Sequence, residues 1–379
     1  MLLSNKISNS KLIILACVTA LLPEYIIRSN IDILYFFYNH FTTYFGDLWY
    51  CWSNYLNHGF SYPREYPSGI QLLFRLLFVI PGITNNLPLY MRIISLILAI
   101  VAIAITYLLI QLTPPNQRYK IWQYWILAPS YLFFGLLNLD FLAIVTMVIA
   151  YYYFIANKFS YASIALALGM TIKVFPVFLL PMLFFACARR DKFKFVAVFC
   201  FALIIFNLPF ILTDYQAWSF PYLWQIQNNY ARTMQDGSWM WIIFTLFNHF
   251  GVGNLAGKFS LLLFICSYFY CAYKYNHLPL ARKLLLVIML FILTDRVYSP
   301  QYNLYLLPFL VLVDYKIDWK YFYLLELPNF FQGFFLFYTK NHPYLLQSII
   351  FIKYFAIIML LRNNLFTPVI NNKQQSVLD

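Results

Sequence analysis

Long apolar runs, separated by short polar segments, extend along the chain to about residue 361. A helix that spans a bilayer needs roughly 20 mostly apolar residues, and it satisfies its backbone hydrogen bonds within the segment. The pattern therefore predicts an all-α polytopic membrane protein, a single domain over residues 1–379 with about twelve helices across the bilayer. The predicted spans lie near residues 11–27, 88–112, 119–137, 141–157, 159–174, 176–188, 194–213, 257–274, 281–294, 301–314, 319–337 and 344–361.

The distribution of Lys and Arg orients these spans. Positive charges accumulate in short cytoplasmic loops of membrane proteins, and a dense cluster occurs here at Arg189–Lys194. If this cluster is inside, both termini are cytoplasmic, including a tail over 362–379. Two long connections, 28–87 and 214–256, then lie outside. No A-x-A cleavage site follows the first apolar run, so we interpret it as an uncleaved span.

Two apolar stretches in the outer connections do not fit as further spans. Residues 67–83 carry Arg75 near their centre, which is costly for a lone helix in lipid, and counting them as a span would invert every later loop. Residues 238–250 are too short to cross, and Trp239 and Trp241 suit the headgroup region. We interpret both stretches as juxtamembrane helices that lie at the outer interface or dip into the membrane and return.

Composition agrees with a membrane protein. Hydrophobic residues make up 63% of the chain and charged residues 10%, against about 25% charged in soluble domains, and the mean hydropathy is +0.68. The net charge of +13 is then explained by cytoplasmic loops, so we expect the lipid bilayer and not nucleic acid as the partner. Cys and His show neither disulfide nor metal spacing. We predict no cofactor and no metal, with a divalent cation left open by the carboxylates described next.

Acidic residues gather on the predicted outer side. In the first outer connection they alternate with aromatic residues and prolines, as in Ser61–Gly69. Aromatic rings beside carboxylates are typical of sugar sites, because rings stack on the apolar faces of a sugar while carboxylates accept from its hydroxyls. A plain aromatic belt at the interface would have the same composition. The outer acids are Asp32, Asp47, Glu65, Asp140, Asp214, Asp236 and Asp295.

Three later motifs fall on the same predicted face. They are Asn138-Leu139-Asp140, Lys173-Val174-Phe175-Pro176 and the turn Asp295–Tyr302. Lys173 and Arg296 are basic residues on the side where the positive-inside rule does not expect them. They could bind a phosphate, or form a structural ion pair or a headgroup contact.

The order of these motifs resembles the superfamily C glycosyltransferases (GT-C), and most of all the bacterial polyprenyl-phosphate-mannose-dependent mannosyltransferases of glycosyltransferase family 87. The resemblance covers about residues 10–315. Two departures are a Tyr66-Pro67-Ser68 where the family has Tyr-Pro-Pro, and the lack of a paired Asp-x-Asp near the first span. The residues that carry it are Asp47, Tyr50, Gly59, Tyr62-Pro63, Glu65-Tyr66-Pro67, Asn138-Leu139-Asp140, Lys173-Val174-Phe175-Pro176 and Ser299-Pro300-Gln301-Tyr302.

This resemblance implies a GT-C-like bundle with juxtamembrane helices in a long first outer loop. It also implies inverting transfer of a hexose, mannose first, from a polyprenyl-phosphate donor to a lipid-linked glycan or glycolipid at the outer face of the plasma (inner) membrane. Asp47 would be the catalytic base, with Asp32 as the reserve, and Lys173 and Arg296 would hold the donor phosphate. The other implied substrate-binding residues are Glu65, Tyr66, Asp140, Gln301 and Tyr302.

Two other functions stay open. A lipid-linked sugar flippase or polytopic transporter would carry polar residues near the membrane midplane and discontinuous helices. A non-catalytic scaffold would not need the outer acids. Glu326 and Lys353, at matched depth in the last two predicted spans, are either functional ionisable residues or a mutual ion pair that joins two helices.

Overall fold

The computed structural model describes residues 2–30, 32–33, 46–58, 66–227, 237–252 and 255–368, and these residues form helices and connections without any strand. They divide into two compact units. The first comprises Met1–Asn228 with Phe334–Phe337, and the second Asn229–Gly333 with Tyr338–Asp379. The helical class is as predicted, and the single domain over 1–379 stays a prediction.

The first unit is built around a series of five helices, each packed against the next. The pair Asp140–Ile155 and Phe159–Ile172 packs together closely, Lys192–Thr213 packs on the second of these, and Leu87–Leu112 joins the first of them to the N-terminal helix. Its α-helices are α1 (Leu2–Ser29), α2 (Gly46–His58), α3 (Ser68–Phe78), α4 (Leu87–Leu112), α5 (Tyr119–Ile121), α6 (Pro129–Phe134), α7 (Asp140–Ile155), α8 (Phe159–Ile172), α9 (Leu180–Ala186), α10 (Lys192–Thr213) and α11 (Tyr215–Gln227).

The local sequence explains where these helices begin, end and break. The Asn86 side chain accepts from the Leu89 N–H at 2.9 Å and caps α4, and Pro114 follows its C-terminus. The predicted span 119–137 is interrupted, because the π-helical turn Trp122–Ile126 follows α5 and Pro129 starts a separate short helix. A 3₁₀ turn over Phe175–Leu179 likewise precedes α9.

The second unit is centred on a buried helix over Leu280–Thr294. This helix packs against its neighbours at Ala256–Lys274, Asn303–Leu312 and Pro343–Phe366, and its side chains from 281 to 290 are all buried. The helices from residue 241 onward are α12 (Trp241–His249), α13 (Ala256–Lys274), α14 (Leu280–Thr294), α15 (Asn303–Leu312), α16 (Trp319–Phe334), α17 (Leu336–Asn341) and α18 (Pro343–Phe366), with a 3₁₀ turn at Pro300–Tyr302.

Within the described residues, four helices are long and apolar enough to cross a membrane: Ser10–Ser29, Leu87–Leu112, Arg189–Thr213 and Pro343–Phe366. At 1.5 Å per residue, the 26 residues of α4 extend about 39 Å, more than the hydrocarbon thickness of about 30 Å. The 14 residues of α8 extend only about 21 Å. The apolar helices therefore indicate a membrane protein, but the predicted count of twelve spans is not confirmed.

The two stretches interpreted as juxtamembrane helices are helical. Residues 67–83 contain α3, and residues 238–250 contain α12, of 11 and 9 residues respectively. Both are shorter than a span requires. Their location relative to a bilayer stays a prediction.

Candidate functional site

The clearest pair of functional candidates in the first unit is Asp140 with Lys173. The Lys173 Nζ donates to the Asp140 Oδ1 at 2.6 Å, and the carboxylate is fully buried while 24% of the lysine side chain is exposed. Asp140 is the first residue of α7, where a negative charge is favoured by the helix dipole. Lys173 follows the last residue of α8. The pair is thus a buried carboxylate beneath a cation that solvent or a ligand can still reach.

Close packing around glycines fixes the two helix ends that carry this pair. A Cβ on Gly169, in the last turn of α8, would stand 2.2 Å from Thr146 Oγ1 on α7 and 2.9 Å from the Pro176 ring. A Cβ on Gly69 in α3 would stand 2.6 Å from Thr171 Oγ1 and 2.9 Å from the Thr171 carbonyl oxygen. The missing side chains therefore let α7 and α3 approach the end of α8, two to four residues before Lys173.

A second buried ion pair connects α1 to the segment before Asp140. The Arg28 Nη2 lies 3.2 Å from the Glu24 Oε1, and both side chains are almost completely buried. The other carboxylate oxygen of Glu24 accepts from the Leu136 N–H at 3.0 Å. Glu24 thus contacts Arg28 in the last turn of its own helix and the backbone of Leu136, which lies four residues before Asp140.

The structure describes only part of the first outer connection, 28–87, which contains the predicted catalytic residues. Asp47 lies in α2, but its side chain is outside the described part of the chain, and Glu65 is outside it altogether. Asp32 is exposed, and its N–H donates to the Asn30 Oδ1 at 3.1 Å. Tyr66 is half-buried, and its carbonyl accepts from the Gln71 amide at 2.9 Å. The catalytic roles of Asp47 and Asp32 stay predictions.

The remaining predicted residues share one turn of the second unit, Asp295–Tyr302. The Arg296 N–H donates to the Asp295 Oδ1 at 2.8 Å, and the Ser299 hydroxyl donates to the Gln301 Oε1 at 2.6 Å. The Tyr302 ring packs on Phe291, with centroids 6.0 Å apart. Arg296, Gln301 and Tyr302 are therefore neighbours, and all three are partly exposed.

Glu326 and Lys353 are both completely buried, and each hydrogen-bonds an amide side chain. An ion pair between them stays a prediction. The Lys353 Nζ donates to the Gln332 Oε1 at 2.7 Å and lies 3.8 Å from the centre of the Tyr298 ring. The Glu326 carboxylate accepts from the Asn303 amide at 2.8 Å. Lys353 thus lies beside Gln332 and Tyr298, and Glu326 lies beside Asn303.

The hydroxyl of Tyr298 completes this connection by a short hydrogen bond to the Asn303 Oδ1. Burial, reinforced by Tyr354 and Glu326, raises the pKa of Tyr298 well above its usual range. The phenol is therefore neutral and donates its proton to the amide oxygen.

Sequence reasoning missed two groups of residues that the structure brings to these sites. Glu24 falls in the predicted span 11–27 and Arg28 in the outer connection 28–87, although their i, i+4 spacing inside an apolar helix is itself a signal for a buried pair. Tyr298 and Asn303 carried no signal, since aromatic and amide residues are frequent in this chain.

Among the described residues, no group of three or more His, Cys, Asp or Glu side chains is arranged to hold a metal ion. The chain was also compared with known proteins. Comparisons with protein-family models, with curated proteins and with solved structures find no match.

Proposed function

We propose that this protein is an integral membrane glycosyltransferase with a GT-C-like bundle of about twelve membrane helices. It moves a hexose, with mannose as the first sugar to test, from a polyprenyl-phosphate donor to a hydroxyl of a lipid-linked or cell-envelope glycan. The reaction inverts the anomeric carbon and takes place at the non-cytoplasmic face of the inner membrane.

The observation that carries this proposal is the arrangement of Asp140 and Lys173. A phosphate that leaves a sugar gains negative charge, and a cation already in position stabilises it. Lys173 is a partly exposed ammonium whose buried side is held by a carboxylate at 2.6 Å. The carboxylate holds the ammonium in one position, while part of the lysine side chain stays accessible.

The proposed reaction is a single displacement. The acceptor oxygen attacks the anomeric carbon as the bond from that carbon to the phosphate oxygen breaks, and Asp47 takes the acceptor's proton, a role worth typically 10²–10⁴-fold. Lys173 and Arg296 are the candidate cations for the leaving polyprenyl phosphate. Asp32 is the reserve base. The sugar-binding residues in this proposal are Glu65, Tyr66, Gln301 and Tyr302, whereas the buried Asp140 acts through Lys173.

A lipid-linked sugar flippase or transporter is the second candidate, and two observations favour it. Glu24, Arg28, Glu326 and Lys353 are buried charges on helices of an apolar chain, and such charges often mark transport pathways. The helices are also discontinuous at Trp122–Ile126 and Phe175–Leu179, as in many transporters.

Transfer of radiolabelled mannose from polyprenyl-phosphate mannose to membrane lipid acceptors tests the enzyme directly. The comparison is between wild-type vesicles and vesicles with Asp47→Asn or Lys173→Gln. Matched controls are Asp191→Asn, beside the exposed Arg190, and Lys158→Gln, an exposed lysine at the opposite end of α8.

Loss of transfer in the two site variants, with the controls active and all variants equally abundant, would support the enzyme and both assignments. Full activity of Asp47→Asn would exclude Asp47 as the base. An unchanged donor KM in Lys173→Gln would exclude its phosphate role. Absence of transfer from every lipid-phosphate sugar, combined with movement of labelled lipid-linked sugar across the vesicle membrane, would favour the flippase.

A further inference from the structure

A continuous set of buried polar contacts lies behind the turn Asp295–Tyr302. It starts at the Lys353 ammonium, 3.8 Å from the Tyr298 ring centre, and passes through the Tyr298 hydroxyl to Asn303. It ends at Glu326, which accepts from the Asn303 amide at 2.8 Å. All four side chains are completely buried.

Further contacts hold the backbone of the same turn. The Asn329 amide donates to the Pro300 carbonyl at 2.7 Å, and the Ser238 hydroxyl donates to the Asp295 carbonyl at 2.6 Å. Gly237 has a φ of +75°, and a Cβ there would stand 2.6 Å from the Tyr298 carbonyl oxygen. Only glycine combines that conformation with so close an approach. The turn is therefore restrained at three carbonyls as well as at the Tyr298 side chain.

Two buried charges make this arrangement strongly dependent on its partners. A cation and a carboxylate inside apolar helices are each costly unless they are paired or hydrogen-bonded. Lys353 has the Gln332 oxygen and the ring of Tyr298, and Glu326 has Asn303. Movement of Tyr298 or Asn303 would remove a partner from a buried charged side chain. Because that loss costs free energy, the contacts of Lys353 and Glu326 stabilise the observed conformation of the turn.

Arg296 is two residues from Tyr298 and takes its position from the same turn. Its Nη1 lies 3.5 Å from the point where a Cβ on Gly257 would stand, so the guanidinium rests beside the first turn of α13. A shift of the turn would move the guanidinium with it.

We infer that Lys353, Tyr298 and Glu326 are positioning residues, which fix the turn Asp295–Tyr302 and so present Arg296 to the phosphate of the donor. The inference rests on the proposed function, in which Arg296 binds that phosphate. None of the three residues needs to touch the substrate, because each acts through the turn.

The effect of these residues on the stability of the turn can be measured without any transfer activity. Hydrogen exchange of the full-length protein in lipid nanodiscs should show faster exchange of the Arg296 and Tyr302 amides in Tyr298→Phe and in Lys353→Met. Tyr315→Phe is the matched control, since Tyr315 is another buried tyrosine of the second unit, whose hydroxyl bonds Asn364 at 3.4 Å. Unchanged exchange in both site variants would overturn the inference.

Glu326 offers a conservative comparison. Glu326→Gln keeps an oxygen that can accept from Asn303 and should exchange like the wild type, whereas Glu326→Leu should exchange like Tyr298→Phe. Equal exchange in the Gln and Leu variants would contradict the role of that hydrogen bond.

The kinetic readout separates positioning from simple stability. Tyr298→Phe should raise the donor KM roughly tenfold, equivalent to about 1.4 kcal/mol, with a smaller change in kcat, and Tyr315→Phe should leave both unchanged. Faster exchange with an unchanged donor KM would overturn the positioning role. If the wild type transfers no sugar, the proposed function is refuted but the positioning role is not. Binding of polyprenyl phosphate to the same proteins then tests the positioning role. Weaker binding by Tyr298→Phe would support the inference, and equal binding would overturn it.

Discussion

Replacing Lys173 by Met is expected to destabilise the first unit substantially. The change removes the 2.6 Å charge-assisted hydrogen bond to Asp140 and leaves a fully buried carboxylate without its cation. Breaking a buried pair from one side typically costs about 3–5 kcal/mol. Because 24% of the Lys173 side chain is exposed, water can partly replace the ammonium, and we expect the low end of that range, about 3 kcal/mol.

Replacing Asp140, the other member of the pair, should lower the free energy of unfolding by less, because Asp140 is fully buried whereas Lys173 is partly exposed. In Asp140→Asn the ammonium of Lys173 can turn toward solvent, so the expected loss is about 1–2 kcal/mol, as for an ordinary buried hydrogen bond. The double variant contains neither the buried carboxylate nor the ammonium. It should therefore be more stable than the sum of the single losses by about 1–3 kcal/mol, the usual coupling between contacting residues.

The assay is reversible unfolding of the purified protein in mixed micelles, followed by tryptophan fluorescence, for the four members of the cycle. Lys158→Met, at the exposed end of α8, is the control. If Lys173→Met is no less stable than Lys158→Met, or if the single losses simply add, the buried-pair reasoning is refuted.

The same variants distinguish a structural role of Lys173 from a role in binding the donor. A double variant that regains stability but transfers no sugar would mean that Lys173 serves the donor as well as the fold. One that regains both stability and transfer would reduce the pair to the structural ion pair that the sequence also allowed.

Three further substitutions test the packing around the sites by thermal unfolding. Gly169→Ala should lower stability by up to about 2 kcal/mol, since overpacking against Thr146 costs about 1–3 kcal/mol and is partly offset by a helix-propensity gain of about 1 kcal/mol; a stabilised variant would disprove the close contact. Glu24→Leu should cost about 3–5 kcal/mol because it removes the buried carboxylate that pairs with Arg28 and accepts from the Leu136 N–H, and equal stability to the wild type would contradict this. Arg282→Met should cost a similar amount, about 3–5 kcal/mol, because the fully buried guanidinium bonds Asp314 and the Thr367 and Pro368 carbonyls; residues 364–368 should then exchange amide hydrogens faster, and unchanged exchange would count against that anchoring role.

The sequence alone determined the helical class and the membrane character, because both depend on composition summed over a window of the chain. Apolar runs of 20 or more residues, such as 88–112, require a helix in lipid whatever packs beside them. Arg75 and the tryptophans at 239 and 241 likewise marked the short helices α3 and α12.

The tertiary structure alone decided which polar groups meet and which helices are interrupted. The sequence does not predict that Lys353 hydrogen-bonds Gln332 and lies on the ring of Tyr298. The run 119–137 is mostly apolar and predicts one span, yet Trp122–Ile126 adopts a π-helical turn before Pro129 starts a new helix. The hydropathy pattern indicates which residues are apolar and which are charged. The partner of a buried polar side chain depends on the direction of that side chain and on which distant helices pack beside it. Neither can be inferred from a one-dimensional pattern.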